Sequence, residues 1–328
     1  MESLRRDRCQ GALLGLWLAP TAIRTLNISG DRPANRPVNL PLAPDMAADM
    51  AAVAALSLAQ VNHFTASPST FHTRPWPKAL PYWLFSLPVL LRYHDSWQQR
   101  LQWVYMHLSS LDSLTKADAK INSIAISQSL LLGDLLQIAL RCEGNSTDLG
   151  CVGQGQRWQF WQNHLSLLAE RAQAYNLISG QTLSYQTLLT HLNQAFTNQA
   201  FTFAEASPLA AADQIWVQAL AAALSQPQSY SLTARQLAYW GDRTALVAPL
   251  MSGALQGQAA LPVLCQLRSA PLHSEHLEHF EFRHQLPGRA TLLAAANRLV
   301  DQWAGILPAA DSNSATDRVR NLHTIIAK

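Results

Sequence analysis

The densest group of side chains able to ligate a metal or carry a proton is HSEHLEHFEFRH, His273–His284. His273, His276 and His279 fall three apart, so a helix spreads them around its surface and a strand sends them to both faces. A zinc site needs its ligands to converge, and a solvated polar connector fits this spacing better. Hard cations call instead for clustered oxygen ligands. Two places offer carboxylates of that kind. Asp45 and Asp49 lie four apart in PDMAADMAAV and can share a helix face, although an acid there also caps a helix start and suits the positive end of its dipole. Asp242 sits in GDRT, where the neighbouring Arg243 and Thr244, with backbone amides at a helix start, suit an anionic ligand.

Other chemistry finds little footing. GQGQ, Gly153–Gln156, reads as a loop with no preceding strand and no GxGxxG spacing, so it is not a phosphate cradle. No GxSxG or HExxH occurs, and spacing assigns no Ser-His-Asp or Cys-His set. Cys9, Cys142, Cys151 and Cys265 are too few and scattered for a disulfide framework and read as reduced thiols.

These residues sit in a chain of 328 residues, 48% hydrophobic and 14% charged, too apolar for disorder. The net charge of +3 comes almost wholly from arginine, since lysines occur only at 78, 116, 120 and 328. No basic run tracks a phosphate backbone, which argues against nucleic acid as a partner. RRDR (Arg5–Arg8) before GALLGLWLAPTAI imitates an export signal, but no small-x-small cleavage site comes after it and the stretch has the pattern of a core helix. That stretch is also too short to span a bilayer, and no apolar run elsewhere reaches the roughly 18 residues a span needs. The expectation is a cytoplasmic protein with no membrane partner.

The elements that must position any site are helices. Apolar residues recur at helical spacing from Leu4 to Ala19, where Pro20 is expected to stop the helix. The same period runs from Asp45 to Val61, Tyr82 to Gln102, Leu101 to Leu108, Lys120 to Leu140, Trp158 to Tyr175, Tyr185 to Phe196, Asp213 to Leu224, Ala234 to Leu261 and Ala290 to Gly305. Ser67–Pro81, with four prolines and Trp76, reads as a surface loop suited to a protein partner. Apart from a short alternation at Glu278–Arg283, no strand pattern occurs. The reading is all-α: one compact multi-helical domain over residues 1–308, then a polar linker and short terminal helix over 309–328.

Two of these helices share a pattern. GALLG (Gly11–Gly15) and GALQG (Gly253–Gly257) each put two glycines four apart on one helix face. Each glycine costs about 1 kcal/mol of helix propensity against alanine; the lost Cβ atoms let another backbone approach closely. The two helices are expected to be neighbours at the centre of the fold.

In their surroundings the motifs resemble a family. DRCQGALLGL (Asp7–Leu16) resembles the opening Arg-x-x-Gly-Ala-Leu-x-Gly helix of the ADP-ribosylglycohydrolase (DraG-like) family, and GDRTALVAPLMSGALQGQAALP (Gly241–Pro262) its late Gly-Asp-x-Asp-Thr turn and Gly-Ala-Leu-x-Gly helix. Leu80–Trp103 and Ile215–Tyr230 resemble its middle and penultimate helices, so the likeness covers most of residues 7–262 in order. It implies a compact all-α fold and removal of ADP-ribose by two divalent metal ions held on carboxylates and threonines.

The chain departs from that pattern at the metal ligands. Ala19–Pro20 stand near the family's early Gly-Asp, and only Asp45 and Asp49 approach its Thr-Asp-Asp-Thr turn. Counting back from Gly253 puts Thr244 and Leu246 where two metal-binding aspartates belong; a two-residue slip restores Asp242 alone, beside the opposing charge of Arg243. The resemblance with these departures implies a catalytically degenerate member with no metal site and no cofactor, binding a protein partner or an ADP-ribose-like ligand through Arg243 and Thr244 in a regulatory or assembly role. The alternatives are an active hydrolase with a rearranged site on Asp45, Asp49 and Asp242, requiring Mg²⁺, and a structural protein-interaction scaffold.

Overall fold

The computed structural model describes residues 2–28, 82–105, 119–141, 154–179, 185–197, 211–225, 246–258, 261 and 289–304. Among them every regular element is helical. The helices are α1 (Glu2–Ile28), α2 (Tyr82–Arg92), α3 (97–105), α4 (Ala119–Arg141), α5 (Gln154–Ser179), α6 (Tyr185–Thr197), α7 (Ala211–Ser225), α8 (Val247–Gln256) and α9 (Arg289–Trp303).

Patterning explains which helices lie inside. On α5 the residues Trp161, Leu165, Leu168, Ala172 and Tyr175 recur at intervals of three and four and are buried, while Gln162, Asn163, Ser166, Glu170 and Gln173 face outward. On α6, Tyr185, Leu188, Leu189, Leu192 and Phe196 form one such stripe. α4 and α8 have no such polar face. Ala125–Leu136 is buried without interruption, and every residue of α8 is buried. A helix buried on all sides must be enclosed by others, so α8 packs against α1, α7 and α4, and α4 also against α2 and α6. Contrary to the expectation that no apolar run beyond the first helix is long enough for a bilayer, Ser123–Arg141 is long and apolar enough to cross a membrane, with mean hydropathy 1.5; 78% of it is buried by the other helices.

Three details differ from what the pattern predicts. α1 runs through Pro20 to Ile28. A proline removes one helical hydrogen bond and strains the preceding turn, but it does not forbid the chain from resuming. Gln154–Gln156, expected in a loop, belongs to the first turn of α5. The long period from Tyr82 to Gln102 is broken by a turn at Tyr93–Asp95. There the Arg100 guanidinium donates to the carbonyls of Tyr93 (2.9 Å) and His94, and the His94 ring pairs through Nδ1 with the Leu91 carbonyl at 2.9 Å. The carbonyls a helix end leaves open are thus closed by the side chains that come after it, a pairing hydrophobic periodicity does not encode.

The first and last described helices meet. Arg6 binds Asp301 at 2.7 Å and Gln10 donates to Asn297 at 2.9 Å, one turn apart on both α1 and α9, and the Arg5 guanidinium lies 4.6 Å from the Trp303 ring centre.

Candidate functional site

The glycine motifs meet directly. A Cβ placed on Gly11 would fall on the carbonyl oxygen of Gly253, one on Gly253 would fall on the carbonyl oxygen of Gly11, and one on Gly15 on that of Pro249. The backbones of α1 and α8 are therefore in van der Waals contact, with each glycine's carbonyl near the other's Cα–H. The end of α8 is finished by Gly257, at φ 75° and ψ −179°, a region essentially closed to residues with a Cβ. Its N–H donates to the Gly253 carbonyl at 2.9 Å, and the next N–H, of Gln258, donates to the Asp7 backbone and side-chain oxygens, both at 3.2 Å. Asp7 thus ties the end of α8 onto the start of α1. Arg8, the arginine of the Arg-x-x-Gly pattern, is buried and donates to the Ala139 carbonyl at 2.7 Å, closing the last turn of α4. Cys9 is buried beside it, and burial pushes its thiol up to about 12, so it stays protonated and inert.

A second focus lies where α3, α4, α5 and α6 converge, and sequence reasoning missed it. Asp134, in the middle of α4, is completely buried. Its Oδ1 accepts from Arg100 Nη2 and from Arg171 Nη1 at 2.6 Å, and its Oδ2 accepts from the hydroxyls of Tyr175 at 2.9 Å and Tyr185 at 2.8 Å. Gln137 Oε1 accepts from both arginines, at 3.2 Å and 3.0 Å. A buried carboxylate is tolerable only when its lone pairs are satisfied, and here each oxygen has two donors. Burial first, and Asp134 second, push both tyrosine hydroxyls above their ordinary range, so both remain donors. Burial works against the charge on Arg171, yet Asp134 and the tyrosines outweigh it and raise its pKa. Gly133 makes room for the cluster. A Cβ there would stand 3.0 Å from Arg100 Cδ and Nε and from Leu90 Cδ2. The one sequence signal for this focus is Asp134 itself, the single acidic residue of α4, set between two apolar runs.

The cluster opens outward through Arg171. Between α4 and α5 lies a pocket of about 360 Å³, lined by Gln137, Ile138 and Arg141 of the first helix and by Phe160, His164, Leu167, Leu168 and Arg171 of the second. The His164 ring stands 4.2 Å from that of Phe160, and its Nδ1 pairs with the Phe160 carbonyl at 2.8 Å.

The residues singled out for chemistry, Asp45, Asp49, Asp242, Arg243 and Thr244, lie outside the described residues, as do the loop Ser67–Pro81 and the histidines of His273–His284. Leu246, which the resemblance sets against the second late aspartate, is described: it precedes α8 in helical conformation and is buried. Among the described residues no three His, Cys, Asp or Glu side chains gather as metal ligands. No protein-family model, no curated protein and no solved structure matches the chain.

Proposed function

We propose that this chain is a catalytically degenerate relative of the ADP-ribosylglycohydrolases that acts by binding, either a protein partner or an ADP-ribose-like ligand, rather than by two-metal hydrolysis. The observation that carries this reading is the contact of α1 and α8 through Gly11, Gly15 and Gly253. The two motifs that resemble the family thereby form one packed unit although more than two hundred residues separate them, which is what a shared core built on both motifs would need. Loss of hydrolysis is supported at the mouth of that unit. In the register counted back from Gly253 the resemblance sets Leu246 against a metal-binding aspartate; the residue is buried, and a leucine side chain offers a hard cation no oxygen.

The ligand side of this reading rests on Arg243 and Thr244 just ahead of α8, where a guanidinium, a hydroxyl and backbone amides suit a pyrophosphate. Titration calorimetry of the whole chain with ADP-ribose, with and without Mg²⁺, tests it. Binding is expected to be unaffected by Mg²⁺ and weakened by Arg243→Ala, with no release of ADP-ribose from an ADP-ribosylated protein. Binding of two Mg²⁺ ions together with turnover lost in Asp45→Asn or Asp242→Asn would replace this reading by the rearranged hydrolase. No ADP-ribose binding, with partner capture lost on deletion of Ser67–Pro81, would leave the scaffold.

A further inference from the structure

The Asp134 cluster carries a charge imbalance that the packing alone does not require. Arg100 is wholly buried and sufficient to neutralise Asp134. Arg171 reaches the same carboxylate oxygen from the outside, with 28% of its side chain still exposed. One carboxylate against two guanidinium groups leaves one positive charge, and it sits on the group that faces the pocket. Arg141 lines the same pocket and is exposed, and no carboxylate is among the described residues that line it. The end of α4 presents its negative dipole nearby and opposes an anion, so attraction must come from the two guanidinium groups. The walls are apolar and aromatic, Ile138, Phe160 and Leu168, and at the rim Leu167 is 61% exposed. A cavity of about 360 Å³ with apolar walls and few convergent polar groups suits a small molecule.

We propose that this pocket binds a small organic anion: an apolar, preferably aromatic, body bearing one oxyanionic head, carboxylate or phosphate. The head lies against Arg171 and Arg141, and the body covers Phe160, Ile138 and Leu168. Arg171 is positioned for this by the cluster behind it. Asp134 and Gln137 hold one edge of the guanidinium, which fixes its plane and lowers the entropy lost when an oxyanion engages the remaining donors. The site lies between α4 and α5 and does not depend on the family reading of α1 and α8.

Titration calorimetry of the full chain with 2-naphthoate, 2-naphthyl phosphate and neutral 2-naphthol tests the proposal. The anions should bind at least about tenfold tighter than the naphthol, the worth of one charge-assisted contact, and the tighter of the two anions identifies the head group. Arg141 is exposed, so Arg141→Ala should melt close to the wild type and Arg141→Glu only slightly below it, because an acid there opposes the end of the α4 dipole. They should weaken anion binding by about tenfold and about a hundredfold respectively, while leaving naphthol binding unchanged. Equal affinity for the anions and naphthol, equal affinity of Arg141→Glu and wild type for the anions, or no binding of any of the three at millimolar concentration would each overturn the proposal.

Discussion

Where α1 crosses α8, two helices come together because side chains are missing; where α3, α4, α5 and α6 converge, four come together because charged side chains are present. At the crossing the partners are Gly11, Gly15, Gly253 and the Pro249 carbonyl, and contact is between backbones. At the convergence, one carboxylate takes hydrogen bonds from Arg100, Arg171, Tyr175 and Tyr185. The first arrangement is specified by shape, and the atoms that meet in it belong to backbone rather than to titratable side chains. The second is specified by complementary donors and acceptors, and because burial magnifies an unpaired charge, it fails badly if any charged member is lost. Their tolerance of substitution should differ accordingly.

The largest effect should come from breaking the charge balance. Asp134→Ala leaves Arg100 wholly buried with no carboxylate, and loss of one partner of a buried pair costs about 3–5 kcal/mol. Denaturant unfolding checks this, and a loss below about 1 kcal/mol would mean that Arg100 finds water. Removing the buried pair with Arg100→Met and Asp134→Leu should recover only part of that loss: an apolar replacement offsets the pair itself, but Arg171 and the hydroxyls of Tyr175 and Tyr185 are left without their acceptor.

Next in size is the crossing. Gly253→Ala drives a methyl group into the Gly11 carbonyl, which only a shift of whole helices can relieve. About 3 kcal/mol is expected, the upper part of the overpacking range, against which alanine's helix propensity returns about 1 kcal/mol. Gly133→Ala provides the contrast. Its Cβ would press at 3.0 Å on the side chains of Arg100 and Leu90 rather than on backbone. Small adjustments there, set against the same propensity gain, should leave it within about 1 kcal/mol of wild type. Equal losses in the two variants would erase the distinction between the regions.

How much of this was legible in the sequence divides along the same line. Hydrophobic periodicity gave most of the described helices, because burial against water is written in residue type alone; it placed α6 and α7 within two residues at either end. The crossing was legible too, since a glycine pair that lowers helix propensity invites a compensating close approach. The charged cluster was not. Arg100, Asp134, Arg171 and Tyr185 lie on four helices, and no spacing within one helix announces a partner on another. The turn at Tyr93–Asp95 was hidden for that reason as well: its carbonyls are closed by the arginine that also holds Asp134.

Acid should distinguish the regions without mutation. His94 is buried against Trp303, ring centres 5.0 Å apart, and burial, reinforced by the charges of Arg5 and Arg100, holds its pKa down from 6.5 to about 4 despite the Leu91 carbonyl and Asp95. With Nδ1 donating to Leu91, Nε2 is a buried acceptor without a partner among the described residues. The unfolded chain binds this proton more readily than the folded one. The stabilising effect of a neutral His94 is therefore complete above pH 6.5 and declines as pH falls toward about 4. The loss reaches about 3 kcal/mol by that point at 1.4 kcal/mol per tenfold change in protonation. His94→Leu should remove this part of the slope, visible as a smaller difference in stability between pH 7 and pH 4 than in wild type. Gly253→Ala should leave the slope unchanged, because the glycines that meet at the crossing do not titrate.

The smallest effects test whether the cluster acts as a unit. Tyr175→Phe removes one of the two hydroxyl donors to Asp134 Oδ2 and leaves Tyr185 in place at 2.8 Å. A hydrogen bond to a charged acceptor is worth about 1.5–3 kcal/mol, and with the remaining donor free to shorten its contact the loss should be about 1–2 kcal/mol. Tyr185→Phe should cost about the same. The double variant leaves Oδ2 with no hydroxyl donor in a site closed to water, so its loss should exceed the sum of the single losses by about 1 kcal/mol, as expected for residues sharing one acceptor. The rings stand 5.2 Å apart in an edge-on arrangement that phenylalanine preserves, so packing contributes little to that excess. If the two losses simply add, each hydroxyl stabilises Asp134 independently, and the convergence of four helices is a set of separate contacts rather than one polar core.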